Sequence, residues 1–251
     1  MNWATFVTRG KKAMRMPPRV LLARLQDEVR QQTKRPWANV YPHALRDTTL
    51  IARAGVPDLA ALWDLKSGDL AWFACPADRD RWTAAFRDRY PVAVPRLIAA
   101  ADAVLRHEFD LLGSGPVKLE GPLPWLCDFK TGREWPLSYH RDIEYLELDR
   151  PSDVKVPWEL SRVQHFTTLG QAYWLSGDEN YAREFVEQVD HWLSVNPLGY
   201  GVNWACAMDV ALRAISWIWG FAFMAQSRAC ANDDFRRRML RSLFIHGEFI
   251  A

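Results

Sequence analysis

The plainest hydrophobic pattern lies in the second half of the chain. In NYAREFVEQVDHWLSV, residues 180–195, Tyr181, Phe185, Val189 and Trp192 recur at helical spacing while Arg183, Glu184, Glu187 and Asp190 take the other side. That is an amphipathic helix with one face turned to water. Upstream, WELSRVQHFTTLGQAYWL brings Leu160, Val163, Phe166 and Leu169 together, and the glycine turn in SGDE closes it. After the break at NPLGYG, Trp204, Met208, Leu212, Ile215, Trp217, Ile218, Trp219 and Phe223 cover nearly every side of one run. Such a run predicts a helix buried by neighbours all round. A surface-type helix alternating with a buried one across short loops predicts stacked helix hairpins.

The first half is more broken. PPRVLLARLQDEVRQQ opens on Pro17 and Pro18, tolerated in a first turn, and sets Leu21, Leu25 and Val29 on one face of an N-terminal helix. From Arg35 to Pro95, Pro36, Pro42, Pro57, Pro76 and Pro91 predict loops and short helices, one of them after an Asp58 cap. Pro95 then opens a helix carrying Leu97, Ala101, Leu105, Phe109 and Leu112, stopped by Gly113, Gly115 and Pro116. Residues 119–153 are irregular and rich in proline, glycine and aromatics, as in a functional loop or a lid. The last run, DFRRRMLRSLFIHGEFIA, keeps helical periodicity at Met239, Leu243 and Phe244 and has no stop signal, so a further helix or loop is expected to follow. The organisation predicted is an N-terminal helix with short helices and loops over 1–95 and a hairpin core over 96–251, in one structural domain.

Composition narrows the picture. With 49% hydrophobic residues in 251, the chain has material for a large core. A formal charge of +2 argues against a whole-chain grip on a polyanion, so no nucleic acid partner is expected. The basic groups Arg9, Lys11, Lys12, Arg15 and Arg236, Arg237, Arg238, Arg241 read as solvated helix faces. Cys75, Cys127, Cys206 and Cys230 form no CxxC pair, which predicts no metal site, no disulfide framework and no cofactor. The N-terminus has no continuous apolar segment of the signal-peptide kind. The apolar run Ala214–Ala225 is short for a bilayer and follows Arg213, so no membrane insertion is expected. Thirteen tryptophans suit either sugar stacking or core filling.

Against that background GVNWACAMDVALRA stands out, because Asn203, Asp209 and Arg213 interrupt an apolar run and each costs free energy unless matched. Asn203 follows Gly199 and Gly201 at a helix mouth. There it serves either as an N-cap or, with free N–H groups and the helix dipole, as an anion contact. Asp209 and Arg213, four apart, are spaced for an intrahelical ion pair. Glu159, Arg162 and His165, at three-residue spacing with Gln164 beside them, form either a packing network or a cleft wall that binds anionic and hydroxyl groups. Tyr139 and His140 are adjacent and could supply an acid and a base.

The motifs DVKVPWELSRVQH, LGQAYWLSGDENYA and NPLGYGVNWACAMDVALRAISWIW occur in that order, with FDLLG and Trp125 to Asp128 before them. Together they resemble the N-terminal helical domain of the heparinase II/III family of polysaccharide lyases, related to alginate lyases. The resemblance implies an all-α fold, an incomplete (α/α) toroid around a long sugar cleft, followed in full-length relatives by a β-sandwich that this chain lacks. It implies an acidic, uronate-containing polysaccharide as partner, whether heparan-like, alginate-like or a bacterial exopolysaccharide; it leaves the compartment open between the periplasm of the family and the cytoplasm, as the chain with no signal peptide reads. The implied reaction is β-elimination: Asn203 neutralises the substrate carboxylate, a base takes the C5 proton, and a tyrosine protonates the leaving oxygen. Trp158 and Trp204 become stacking candidates, and Arg162, Gln164 and His165 substrate contacts. The family's tyrosine, in an Asn-His-Tyr segment, and a later histidine have no counterpart before Ala251, so this chain is expected to be inactive alone unless Tyr139 and His140 replace them. Two rivals remain open: a glycoside hydrolase using Glu159 and Asp209, and a non-catalytic carbohydrate-binding or scaffold module.

Overall fold

In a computed structural model of the chain, which describes residues 17–63, 76–145 and 149–251, helices carry almost all the regular structure. Arg9, Lys11, Lys12, Arg15 and Cys75 lie outside the described residues. The chain divides into two compact units, Met1–Tyr41 and Pro42–Ala251. Helix α1 (Pro18–Ala44) supplies the described part of the first. It runs on through Pro36 and Pro42, where loops were expected, although each proline removes an i→i−4 hydrogen bond and crowds the carbonyl four residues back. Val29 on this helix is exposed.

The second unit contains α2 (Asp47–Ala54), a single turn at Ala60–Trp63, α3 (Arg79–Arg89), α4 (Ala93–Leu105), α5 (Lys155–Ser161), α6 (His165–Ser176), α7 (Glu179–Val195), α8 (Ala207–Met224) and α9 (Asp233–Ile250). Asp58 caps its turn, its Oδ1 accepting from Ala61 N at 2.9 Å. Between α4 and α5 lie two antiparallel hairpins of two-residue strands: β1 (Glu108–Phe109) with β2 (Val117–Lys118), and β3 (Cys127–Asp128) with β4 (Arg133–Glu134). The fold is therefore all-α in class.

Two helix breaks were not visible in the periodicity. The helix begun before Pro95 ends at Leu105 and leaves Phe109 in a strand, because His107 takes a φ of 54° and its carbonyl accepts from Leu119 N. WELSRVQHFTTLGQAYWL is two helices, parted at Val163, a buried β-branched residue held at φ 47°. That is strained backbone for such a side chain. It takes Glu159 and Arg162 off the helical face shared with His165.

The helix α7 follows its pattern closely, with Asp178 accepting from Asn180 N at its start and Tyr181, Phe185, Val189 and Trp192 buried. The Arg183 and Glu187 side chains are exposed as expected, but Glu184 and Asp190 are half-buried and paired. The helix α8 departs from expectation. Trp217 is enclosed, yet Met208 is 58% and Ile215 51% exposed, so one apolar flank is open to water. Its buried side holds Asp209, Arg213 and Ser216 among the apolar groups. In α9 the inner face is Phe235, Met239, Ser242, Ile245 and His246, while Leu243 and Phe244 are only half-buried.

Packing between α6 and α8 rests on two glycines. A Cβ on Gly170 would stand 2.5 Å from the Phe223 Cβ, and one on Gly220 would stand 3.1 Å from the Phe166 Cβ, as well as 2.7 Å from the Phe185 ring of α7. Trp174 Nε1 bonds Phe223 O at 2.6 Å across the same contact. The irregular stretch is pinned down as well. Buried Asp128 accepts from Lys130 N, the Thr131 hydroxyl and Asp153 N, and Trp135, Ile143, Val154 and Val202 form a small core beside it. Substituting Gly170→Ala should cost about 1–3 kcal/mol, since overpacking forces a helix to shift. Urea unfolding monitored by circular dichroism checks it, with Gly247→Ala, also helical but with no atom within 4 Å of the added Cβ, as the control.

Candidate functional site

The polar residues inside the apolar run find their partners across the fold. Arg213 is fully buried. Its Nε donates to His246 Nε2 at 2.9 Å, and its other nitrogens donate to Ser161 Oγ and Asn203 O at 3.3 Å. The guanidinium also lies over the Trp192 ring at 4.1 Å and near that of Trp204 at 5.3 Å. Burial lowers Arg213 to about 9, with Asp209 opposing, so it is charged at neutral pH. His246 Nδ1 faces Ser242 O at 2.7 Å, which makes Nδ1 the protonated nitrogen and leaves Nε2 to accept from Arg213. Burial and the Arg213 charge hold His246 well below its usual range.

Asp209 does not close on Arg213 as the four-residue spacing suggested. Its Oδ1 accepts from Arg162 Nε at 2.6 Å, and Arg162 also grips Glu159, while Asp209 Oδ2 is buried with no partner. The reason is direction: on α8 the arginine faces α9 and the Asn203 turn, and the aspartate faces the break after α5.

Asn203 is wholly enclosed. Its NH2 donates to Trp125 O at 2.7 Å and to Asn196 Oδ1 at 2.9 Å, and its Oδ1 has no partner. Asn196 in turn donates from Nδ2 to Trp192 O, which fixes its own amide and hence the orientation of Asn203. Asn203 sits in a 3₁₀ turn, Val202–Trp204, and makes no cap bond to α8, whose N-cap is Cys206. Both N–H groups assigned by the resemblance to a sugar carboxylate are thus held by protein acceptors in this structure. Trp204 is buried against Trp192, His246 and Phe249. Trp158 is half-buried, donates to Val202 O at 2.8 Å and packs on Tyr145.

Tyr139 and His140 come to this turn. Tyr139 pairs with Tyr200 as an isolated bridge, Gly201 N donates to Ser138 O, and His140 N donates to Gly199 O. The His140 ring packs on Phe249 at 5.5 Å. Arg162 instead stays at the break after α5, held by Asp209 and Glu159. Gln164 is exposed at the start of α6, and His165 turns away toward α7, where its Nε2 meets Gln188 Oε1 at 2.7 Å. Loss of water holds His165 at about 4. Sequence reasoning passed over Asn196, Ser161, Gln188 and His246, which make these contacts. The only available signal was a polar residue at an inward helical position, as at Gln188 and His246.

Elsewhere, an apolar cavity of about 360 Å³ is lined by Trp82, Phe86, Leu97, Trp174, Trp219 and Phe223, and neither the Asn203 turn nor its partners line it. Among the described residues no group of three or more His, Cys, Asp or Glu side chains could hold a metal ion.

The all-helical core thus holds a glycine-rich turn whose asparagine is enclosed among tryptophans and a buried arginine. Residues 123–251, just over half of the chain, match the family model described as Heparinase II/III N-terminus, and the chain belongs to that family. Over 62 residues, 25% of this chain and 9% of the relative, it is 39% identical to a heparin-sulfate lyase of Pedobacter heparinus. Over 67 residues, 27% of this chain and 10% of the relative, it is 46% identical to a heparin-sulfate lyase of Bacteroides stercoris. The match thus spans about a tenth of the length of these curated relatives. No solved structure matches.

His165 and His246 both have folded-state pKa values lowered from 6.5, so the unfolded chain takes up protons that the folded one resists. Stability should therefore fall as pH drops from 6.5 toward 4. Urea midpoints measured across this window check it, and His165→Gln should flatten the slope.

Proposed function

We propose that this chain is the helical part of a lyase that takes a uronate-containing glycosaminoglycan in the cleft of an incomplete (α/α) toroid. What carries the reading is that the turn bearing Asn203 is where the family-matched region gathers its distant polar groups. Trp125 arrives from 78 positions away, Tyr139 and His140 from the irregular stretch, and the Trp158 indole N–H from α5.

The chemistry explains why such groups are needed. The C5 proton of a uronate is a poor acid because an ionised carboxylate beside it resists a second negative charge. On this reading Asn203 gives the carboxylate one of the N–H groups it now gives to Trp125 O and Asn196 Oδ1. Arg162, 17% exposed and held between Glu159 and Asp209, offers N–H donors and no net positive charge. Gln164 and His165 extend the contact surface along the cleft, Trp158 offers a sugar-stacking ring, and Trp204 supports the turn from beneath. Tyr139 and His140 stand as the acid and base that this chain itself carries.

The hydrolase reading draws less support. Glu159 and Asp209 hold the same Arg162 guanidinium, which occupies the space a sugar would need between two catalytic carboxylates.

Calorimetric titration with a uronate tetrasaccharide should show saturable, salt-sensitive binding. It should weaken at least about tenfold in Asn203→Ala, the worth of one charge-assisted hydrogen bond. Equal binding of a neutral tetrasaccharide, or none of the acidic one, would refute the reading. Products without the C4–C5 double bond and its ultraviolet absorbance would favour a hydrolase.

A further inference from the structure

A second line of polar groups runs along α7, away from Asn203. Glu184 Oε1 accepts from Gln188 Nε2 at 2.6 Å and faces His107 Nε2 at 3.1 Å. With its NH2 committed to a carboxylate, Gln188 turns Oε1 to His165. Reversing that amide would set its oxygen against the Glu184 carboxylate, two acceptors at hydrogen-bonding distance, so the orientation is fixed by chemistry. An amide oxygen can only accept. The hydrogen of a neutral His165 is therefore on Nε2, and the lone pair is on Nδ1.

The surroundings keep that state. Loss of water disfavours the imidazolium and holds its pKa at about 4, so the ring is neutral at physiological pH. The ring is half-buried against Phe109 and Phe166, at 5.0 and 5.1 Å, and Nδ1 has no hydrogen-bond partner among the described residues. The strained backbone at Val163 is what aims His165 at α7 while Arg162 goes to Asp209.

We propose that Gln188, oriented by Glu184, is a positioning residue that fixes His165 as the Nε2–H tautomer and makes its Nδ1 an acceptor for a sugar hydroxyl or amide N–H. A bare lone pair takes such donors and repels sulfate or carboxylate oxygens, so this position selects an unsulfated unit of the polymer. The sugar contact rests on the function proposed above; the tautomer does not.

Long-range proton–nitrogen NMR of the histidines at neutral pH tests the first half. Wild type should show His165 protonated at Nε2. Gln188→Leu should lose that preference, and Gln188→Glu should keep it while raising the His165 pKa by about one unit or more, as a new carboxylate neighbour does. Glu184→Gln, which leaves the fold's volume unchanged, should also blur the preference and serves if Gln188→Leu fails to fold. An Nδ1–H tautomer in wild type, or a preference untouched in the Leu and Gln variants, overturns the proposal. Titration with an unsulfated uronate–N-acetylglucosamine tetrasaccharide and its O-sulfated counterpart tests the second half. The unsulfated one should shift His165 Nδ1 and bind more tightly. Binding that leaves Nδ1 unmoved overturns the sugar contact while the lyase reading stands. Absence of binding by either removes both sugar statements and leaves the tautomer supported on its own evidence.

Discussion

The buried guanidinium of Arg213 is the constraint around which the second unit is organised. Removing such a charge from water costs several kcal/mol unless its donors and its charge are both met. No carboxylate sits on it. Instead the end of α5 gives Ser161, the Asn203 turn gives a carbonyl, α9 gives His246, and the rings of Trp192 and Trp204 give their faces. Four separate segments must be in place before that cation is stable, so their assembly is coupled. The same demand explains why α9 turns Ser242 and His246 inward in preference to Leu243 and Phe244.

Asn203 is held by the next layer of that arrangement. Its carbonyl serves Arg213, its amide hydrogens serve Trp125 and Asn196, and Asn196 is set by the α7 backbone at Trp192. The carbonyl and the side-chain amide of Asn203 are therefore both engaged by protein partners. The break at Val163 splits one stretch of sequence between two directions: Arg162 joins Asp209 of α8, and His165 joins Gln188 and Glu184 along α7. A strained residue at such a division is tolerated only because the flanking helices are over-determined by their own packing.

Helix α8 shows how local pattern and tertiary context part company. Counting apolar positions gives a helix apolar on all sides, and the side chains are as counted. Whether each is covered depends on neighbours that periodicity does not name, and Met208 and Ile215 have none over much of their surface. The close approach of α6 was equally silent. Gly170 and Gly220 read as weak points in a helix until Phe223 and Phe166 are seen resting on them.

The sequence by itself determined the helical class, the amphipathic α7 with its Asp178 start, the Asp58 cap, the family, and the fact that Asn203, Asp209 and Arg213 require partners. These follow from chemistry that acts within one or two helical turns, or from motifs kept in order. Only the tertiary structure decided who those partners are. Arg213 and Asp209 are neighbours on their helix but satisfy groups 33 and 47 positions away, and the breaks at His107 and Val163 exist because hairpin pairing and two diverging contacts outweigh the local preference to continue a helix.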